Sequence, residues 1–356
     1  MKINKFLDIK NMNTHILNED INDFVKECTY WEKFKNKSVA VTGATGLIGS
    51  ILVKCLDVLN VKYNLDMAIF CIVRNTDKAR DMFASFSSVN IVSINDFLST
   101  DSIWIEGKLN YLIHAAAPTS STFFANNPVE TFDGVVEMTK NVLALSHKMH
   151  VDSLVYLSSL EVYGEILDDT DFVTEDKQGY INPLSARSSY SMGKRAAECL
   201  CYSYFSEYQL PIKIARLGQT FGAGVSPEDK RVFAYIARSA IARKDVRLNT
   251  PGLVKHNYCY TIDAIDAILR ILLLGENGEA YNVANEDTYI SVRDMAEMVL
   301  DAFSPSNKVL VETGDSSIYP PTTKVKMKTD KLESLGWTPR YDLKHMFERL
   351  IESLKL

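Results

Sequence analysis

The chain has 356 residues, 46% of them apolar and 24% charged, with 39 basic against 45 acidic residues and a net charge of −6. Its length suggests about two domains, and its composition excludes a mostly disordered protein. The acidic balance excludes a general binder of nucleic-acid polymers, but leaves room for a local pocket that takes a small phosphorylated ligand.

Residues 1–36 are polar and mixed, with a helical pattern from Asn18 to Lys35 in which Ile21, Phe24, Val25 and Cys28 share a face. We read them as an N-terminal helical arm. From residue 37 short apolar strands alternate with helices. Strands are expected at 38–42, 67–73, 90–94, 110–116, 153–159 and 212–217, and helices at 47–59, 76–86, 128–149 and 188–208. Near-continuous apolar runs separated by helices point to a parallel sheet covered on both faces. The fold class is therefore α/β, with a Rossmann doubly wound sheet over 37–217. Beyond Leu217 short helices (229–243, 263–274, 291–303, 342–354) alternate with short strands (246–248, 257–261, 280–284, 308–312). This reads as a smaller C-terminal α/β substrate domain over 218–356, with some exchange of elements between the two.

No window approaches about 18 uninterrupted apolar residues, so no membrane span is expected. The opening stretch MKINKFLDIKNMNTH has no apolar core of signal-peptide length. Cys28, Cys55, Cys71, Cys199, Cys201 and Cys259 form no CxxC pair and mostly sit in apolar runs, which suits reduced thiols in a cytoplasmic protein. The histidines show no metal-ligand spacing, so no metal site is expected.

The first strand runs into Thr42-Gly43-Ala44-Thr45-Gly46-Leu47-Ile48-Gly49. Here Gly43 permits a tight turn, Gly46 lets the backbone approach a pyrophosphate, and Gly49 lets the helix pack on the strand. The helix start, with Leu47 and Ile48, offers free N–H groups to phosphate. The second strand ends in Val73-Arg74-Asn75 with no acid at its tip. An acid there selects NAD, whereas an arginine accommodates the extra phosphate of NADP, so Arg74 tilts the choice between NAD(H) and NADP(H) toward NADP(H). Asp96, after the third strand, is read as an adenine contact or a helix cap. His114-Ala115-Ala116-Ala117-Pro118 ends the fourth strand, where small residues keep the wall beside the cofactor low. His114 itself is read as a packed strand-end histidine.

Tyr190 and Lys194 form the sequence's one Tyr-x-x-x-Lys among 17 tyrosines. On a helix they share a face, and the ammonium is expected to favour phenolate and lower the tyrosine pKa. Ser159, at the end of the fifth strand, would hydrogen-bond the reacting oxygen and complete a Ser–Tyr–Lys triad.

Together TGATGLIG, HAAAP, SSLEVYG (158–164), YSMGK (190–194) and LGW-x-P (335–339) resemble the extended short-chain dehydrogenases of the NAD-dependent epimerase/dehydratase superfamily. The resemblance spans roughly residues 37–350, with its motifs in the expected order. Within it, the stretch from Asn182 to Glu198 is similar to UDP-glucuronate decarboxylases and dTDP-glucose 4,6-dehydratases. The resemblance implies a nucleotide-sugar substrate, a homodimer packed through the helices at 128–149 and 188–208, and catalysis by Ser159, Tyr190, Lys194 and Glu161. Glu161 would move a proton or fix the following turn. Pro118, Arg187, Gln219 and His256 would face the substrate. From the residues alone, the apolar stripes of those two helices simply cover the sheet.

Three positions depart from the pattern. Leu160 stands where dehydratases carry an aspartate that acts as the acid for water loss. His256 stands where many members carry an arginine on the nucleotide diphosphate, so His256 or Lys255 takes that role, or the substrate differs. Arg74 points to NADP, whereas enzymes that recycle a bound cofactor usually keep NAD. Internal-redox conversion of a nucleotide sugar ranks first. Net NADPH-dependent reduction of a keto group on a nucleotide-linked sugar or a ketose ranks second. A cofactor-sensing regulator without turnover is the third reading, opposed by the intact Tyr190 and Lys194.

Overall fold

A computed structural model describes residues 15–99, 105, 107–118, 121–312 and 323–355. The first fourteen residues of the expected arm lie outside these. Chain order begins with α1 (His15–Glu27), a 3-10 turn (Trp31–Phe34), β1 (Ser38–Thr42), α2 (Leu47–Tyr63), β2 (Ala68–Val73), α3 (Thr76–Met82), β3 (Val89–Ser93) and α4 (Ile94–Leu98). Next come β4 (Tyr111–His114), α5 (Ser121–Asn126), α6 (Pro128–Lys148), β5 (Ser153–Ser159), a second 3-10 turn (Leu160–Tyr163), α7 (Ser188–Tyr208) and β6 (Ile212–Leu217). There follow β7 (Gln219–Phe221), α8 (Val232–Ile241), β8 (Val246–Leu248), β9 (Lys255–Tyr260), α9 (Thr261–Leu274), β10 (Ala280–Val283) and β11 (Asn285–Ser291). The chain closes with α10 (Val292–Phe303), β12 (Val309–Val311), β13 (Lys324–Val325), α11 (Asp330–Glu333) and α12 (Leu343–Leu354).

Seven strands form one sheet in the order β10-β6-β5-β4-β1-β2-β3, with every neighbouring pair parallel. Successive side chains on a strand face opposite ways. Val39 and Val41 of β1 enter one apolar cluster with residues of α1, α2, α9 and α12. Ala40 enters the other, with Val135, Val142 and Leu143 of α6 and Ala197 and Cys201 of α7. Helices therefore cover both faces, as the unbroken apolar strands imply. Each fully buried Val, Leu, Ile or Phe contributes roughly 1.5–3 kcal/mol. Local signals set the joints: Asn60 of α2 makes two hydrogen bonds of 2.9 Å with the backbone of Met67 and so steers the chain into β2.

The sheet crosses the expected boundary at residue 217, because β10 pairs with β6. The rest of the C-terminal part builds a second sheet on β9, flanked by β11, β13 and β7, and a two-stranded pair of β8 and β12. The helix expected over 18–35 stops at Glu27 and gives way to the 3-10 turn at Trp31–Phe34. α1 buries Leu17, Ile21, Phe24 and Val25 in the main core. Its Asp20 accepts hydrogen bonds from Tyr260 (2.6 Å) and Arg349 (2.7 Å), tying it to β9 and α12. No described helix is long and apolar enough to cross a membrane.

Candidate active site

The strand order reverses between β1 and β4, which opens a crevice at their carboxyl ends. The glycine turn and the His114–Pro118 segment meet there. Gly43 has φ +68°, and a Cβ on it would stand 2.9 Å from backbone atoms of Ala115 and Ala116. A Cβ on Gly49 would stand 2.3 Å from the Gly43 carbonyl oxygen. Only glycine fits either position. Gly46 is the N-cap of α2 and no side chain caps the helix, so the first N–H groups and the positive dipole end stay open to an anion. Thr45, Leu47 and Ile48 belong to this turn and the start of α2, and Ala115, Ala116 and Pro118 follow β4; all six are only partly buried. This cradle fits the pyrophosphate of a dinucleotide.

His114 is a packed histidine. Its Nδ1 lies 2.7 Å from the Thr42 hydroxyl and its Nε2 3.3 Å from that of Thr139. Burial pulls its pKa down to about 3, with the nearby Lys194 charge adding to the effect, so the ring is neutral. Arg74 follows the tip of β2 and is exposed, with no ion pair among the described residues. Asp96 is engaged at the start of α4, where it accepts from the Ser93 hydroxyl at 2.6 Å and its backbone N–H donates back to that oxygen at 3.1 Å. The N-cap of α4 is therefore Ser93, and Asp96 is the first-turn acid that pairs with it rather than the cap itself.

Ser159 closes β5, and its hydroxyl accepts from the Glu161 N–H at 3.2 Å, capping the second 3-10 turn. Tyr190 and Lys194 lie in the first two turns of α7, both buried. The Lys194 ammonium donates to the Leu157 carbonyl at 2.7 Å and sits 4.6 Å from the centre of the Tyr156 ring and 5.8 Å from that of Tyr190. Burial brings its pKa down to about 8. The Tyr190 ring stacks on Phe124 at 4.3 Å. Burial pushes the Tyr190 phenol up and the Glu161 charge pushes it further, while a hydrogen bond with Ser159 and the charge of Arg187 pull it back. The expected lowering of this phenol by Lys194 is therefore not met in this conformation. The ammonium is aimed at Leu157, and exclusion of water outweighs it.

Both Glu161 oxygens are occupied. Arg187 donates to them at 2.9 and 2.8 Å, and the Ser191 hydroxyl donates to Oε2 at 2.9 Å. Leu160 is buried in an apolar cluster with Val162, Tyr163, Val173 and Met327. His256 is buried on β9 with Nε2 3.1 Å from the Thr323 hydroxyl, and burial lowers its pKa to about 4. It is thus neutral near pH 7 and carries no charge for a diphosphate. The cations nearby are Lys255 and Lys324, which flank Asp169 at 3.1 and 3.3 Å. Gln219 begins β7, opposite Tyr258 of β9, and is half-buried.

Comparison with known proteins decides the family. Residues 39–284 match the model of the NAD dependent epimerase/dehydratase family. The chain belongs to that family. It is 29% identical over 323 residues to UDP-glucuronic acid decarboxylase 6 of Arabidopsis thaliana, covering 90% of each chain. It is 28% identical over 331 residues to human dTDP-D-glucose 4,6-dehydratase, covering 89% of each. The fold is shared with UDP-glucuronic acid 4-epimerase from Bacillus cereus, solved with UDP-glucuronic acid and NAD. The TM-score is 0.71 and the identity 20%, over 89% of this chain and 98% of that one.

In this family member, residues not expected at the site also hold it together. Arg216 of β6 donates to both Glu198 oxygens (2.7–3.2 Å) and so pins α7 to the sheet. Arg195 donates to the carbonyls of Val162 (2.6 Å), Tyr163 (3.3 Å) and Gly179 (2.8 Å), fixing the chain after Ser159. One signal was available: β6 reads IKIARL, and two cations in a strand buried on both faces need partners.

Proposed function

We propose that this epimerase/dehydratase converts a nucleotide-activated sugar through a transient keto intermediate, without net consumption of its nicotinamide cofactor. The gathering of Ser159, Tyr190 and Lys194 beside the Glu161–Arg187 pair, next to the glycine turn, carries this reading. The names of the decarboxylase and dehydratase relatives support the substrate class. Gly43, Thr45, Gly46, Leu47, Ile48, Gly49, Ala115 and Ala116 would hold the dinucleotide, which supplies the hydride acceptor and donor.

Tyr190 takes the proton of the sugar hydroxyl, and Ser159 hydrogen-bonds the same oxygen. Lys194, mostly charged at pH 7, stands 5.8 Å from the centre of the Tyr190 ring, and its hydrogen bond to Leu157 would have to yield for its charge to offset the burial that disfavours the phenolate. The negative charge of Glu161 opposes that phenolate, and Arg187 offsets it. The three hydrogen bonds on the Glu161 carboxylate occupy both of its oxygens, which supports a positioning role. Pro118 and Gln219 are assigned to the substrate side of the crevice. Lys255 and Lys324, rather than the neutral His256, are assigned to the diphosphate, and UDP affinity in Lys255→Ala compared with His256→Gln tests that choice.

A second reading is net reduction by NADPH. The exposed Arg74 favours it, and so does the apolar packing of Leu160, which leaves no acid for water loss at that position. Regulation without turnover is opposed by the complete triad.

Tyr190→Phe tests the proposal. Turnover should fall by roughly 10²–10⁴-fold while cofactor binding persists, because only the proton relay is lost. Near-normal turnover in that variant would remove Tyr190 from the mechanism.

A further inference from the structure

At the opposite end of the sheet from the glycine turn, the amino ends of β1, β4, β5 and β6 border a cleft of about 420 Å³. Its lining includes Lys33, Lys35, Lys37 and Lys213, with Asp152 and Glu32 as the acids. The acids do not balance the lysines. Asp152 is taken by Lys37 at 3.7 Å, by Lys108 and by the Asn110 amide at 2.7 Å. Despite partial burial, the Lys108 and Asn110 hydrogen bonds hold its carboxylate below the ordinary value. Lys33, Lys35 and Lys213 have no carboxylate partner among the described residues.

Lys213 is the unusual member. It is 5% exposed, on a central strand, and its ammonium donates to the Ser153 hydroxyl at 2.8 Å. Ser153 passes its own hydrogen to the Leu272 carbonyl at 2.6 Å. An ammonium carries three donors, and one is used here. Burial lowers its pKa to about 8, so at pH 7 it remains mainly a cation. A buried cation without a counter-charge is costly. This one borders an open, lysine-lined cleft on a protein whose net charge is negative.

We infer that this cleft is a second anion site, separate from the cofactor crevice, that takes a small phosphorylated molecule with Lys213 at its floor and Lys33 and Lys35 at its rim. The volume lies within the range of small-ligand pockets, roughly 300–1,000 Å³. Multiply charged phosphate suits several ammonium groups converging without a planar fork.

The test is titration calorimetry of the full chain with inorganic pyrophosphate at low salt. The wild type should bind one equivalent more than Lys35→Glu and one more than Lys213→Met, while Lys344→Glu, an exposed change on α12 outside the cleft lining, should keep that equivalent. Lys35→Glu is a surface change that leaves the core intact, so the comparison stands even if Lys213→Met fails to fold. Equal stoichiometry and affinity in the wild type and Lys35→Glu would overturn the inference, as would an equal loss of the equivalent in Lys344→Glu.

Discussion

The guanidinium of Arg187 holds both carboxylate oxygens of Glu161 at 2.8 and 2.9 Å, one turn before Tyr190 on the sequence that opens α7. The pair sets the charge felt by the phenol, since Glu161 raises its pKa and Arg187 lowers it. Removing the arginine leaves the carboxylate acting alone. In Arg187→Met the pH at which activity rises should therefore move upward, and kcat/KM at pH 7 should fall by roughly tenfold to a hundredfold. Arg187→Lys should recover part of the loss but not all, because an ammonium cannot engage both oxygens in a planar fork. A pH–rate profile identical to the wild type would show that the pair serves only to hold the turn.

Lys194 titrates within reach of ordinary buffers. Its pKa is lowered to about 8 in the folded protein, from 10.5 in a free lysine. Activity should decline as pH rises through about 8 and the ammonium loses its charge. Stability moves the other way. Between about 8 and 10.5 the unfolded chain binds the lysine proton and the folded chain does not, so this group makes folding more favourable as pH rises. The excess of Tm in Lys194→Met over the wild type should accordingly shrink across that window. A difference that stays constant with pH would mean that Lys194 keeps its ordinary pKa when buried.

Arg74 stands exposed just beyond β2, where it can meet a 2′-phosphate. Arg74→Asp should weaken NADP by tenfold or more, on the scale of a lost charged hydrogen bond, and improve NAD. The check is the ratio of the two dissociation constants before and after substitution. An unchanged ratio would take Arg74 out of cofactor choice.

Much of this was legible because some demands are local. A strand entering a helix through Gly43, Gly46 and Gly49 declares close backbone packing, and a Tyr and a Lys four apart on a helix declare a shared face. What escaped the sequence was long-range. Glu161 and Arg187 are 26 residues apart, and nothing in either motif names the other as its partner. Asp20 meets Arg349 across 329 residues, which locks α1 into the core. β10 looks like a strand of the C-terminal lobe until its pairing with β6 is seen. The expected depression of the Tyr190 pKa failed for a related reason. Spacing put Lys194 beside the tyrosine, but burial and the Leu157 carbonyl decided where its charge points.

Recycling of the bound cofactor is what separates internal redox from net reduction. The measurement is incubation of the enzyme with UDP-, dTDP-, GDP- and CDP-sugars and catalytic amounts of cofactor, following reduced-nicotinamide absorbance alongside product formation. Internal redox predicts many turnovers per cofactor with no net change in absorbance. Product that forms only with stoichiometric loss of NADPH would contradict it and establish the reductase instead.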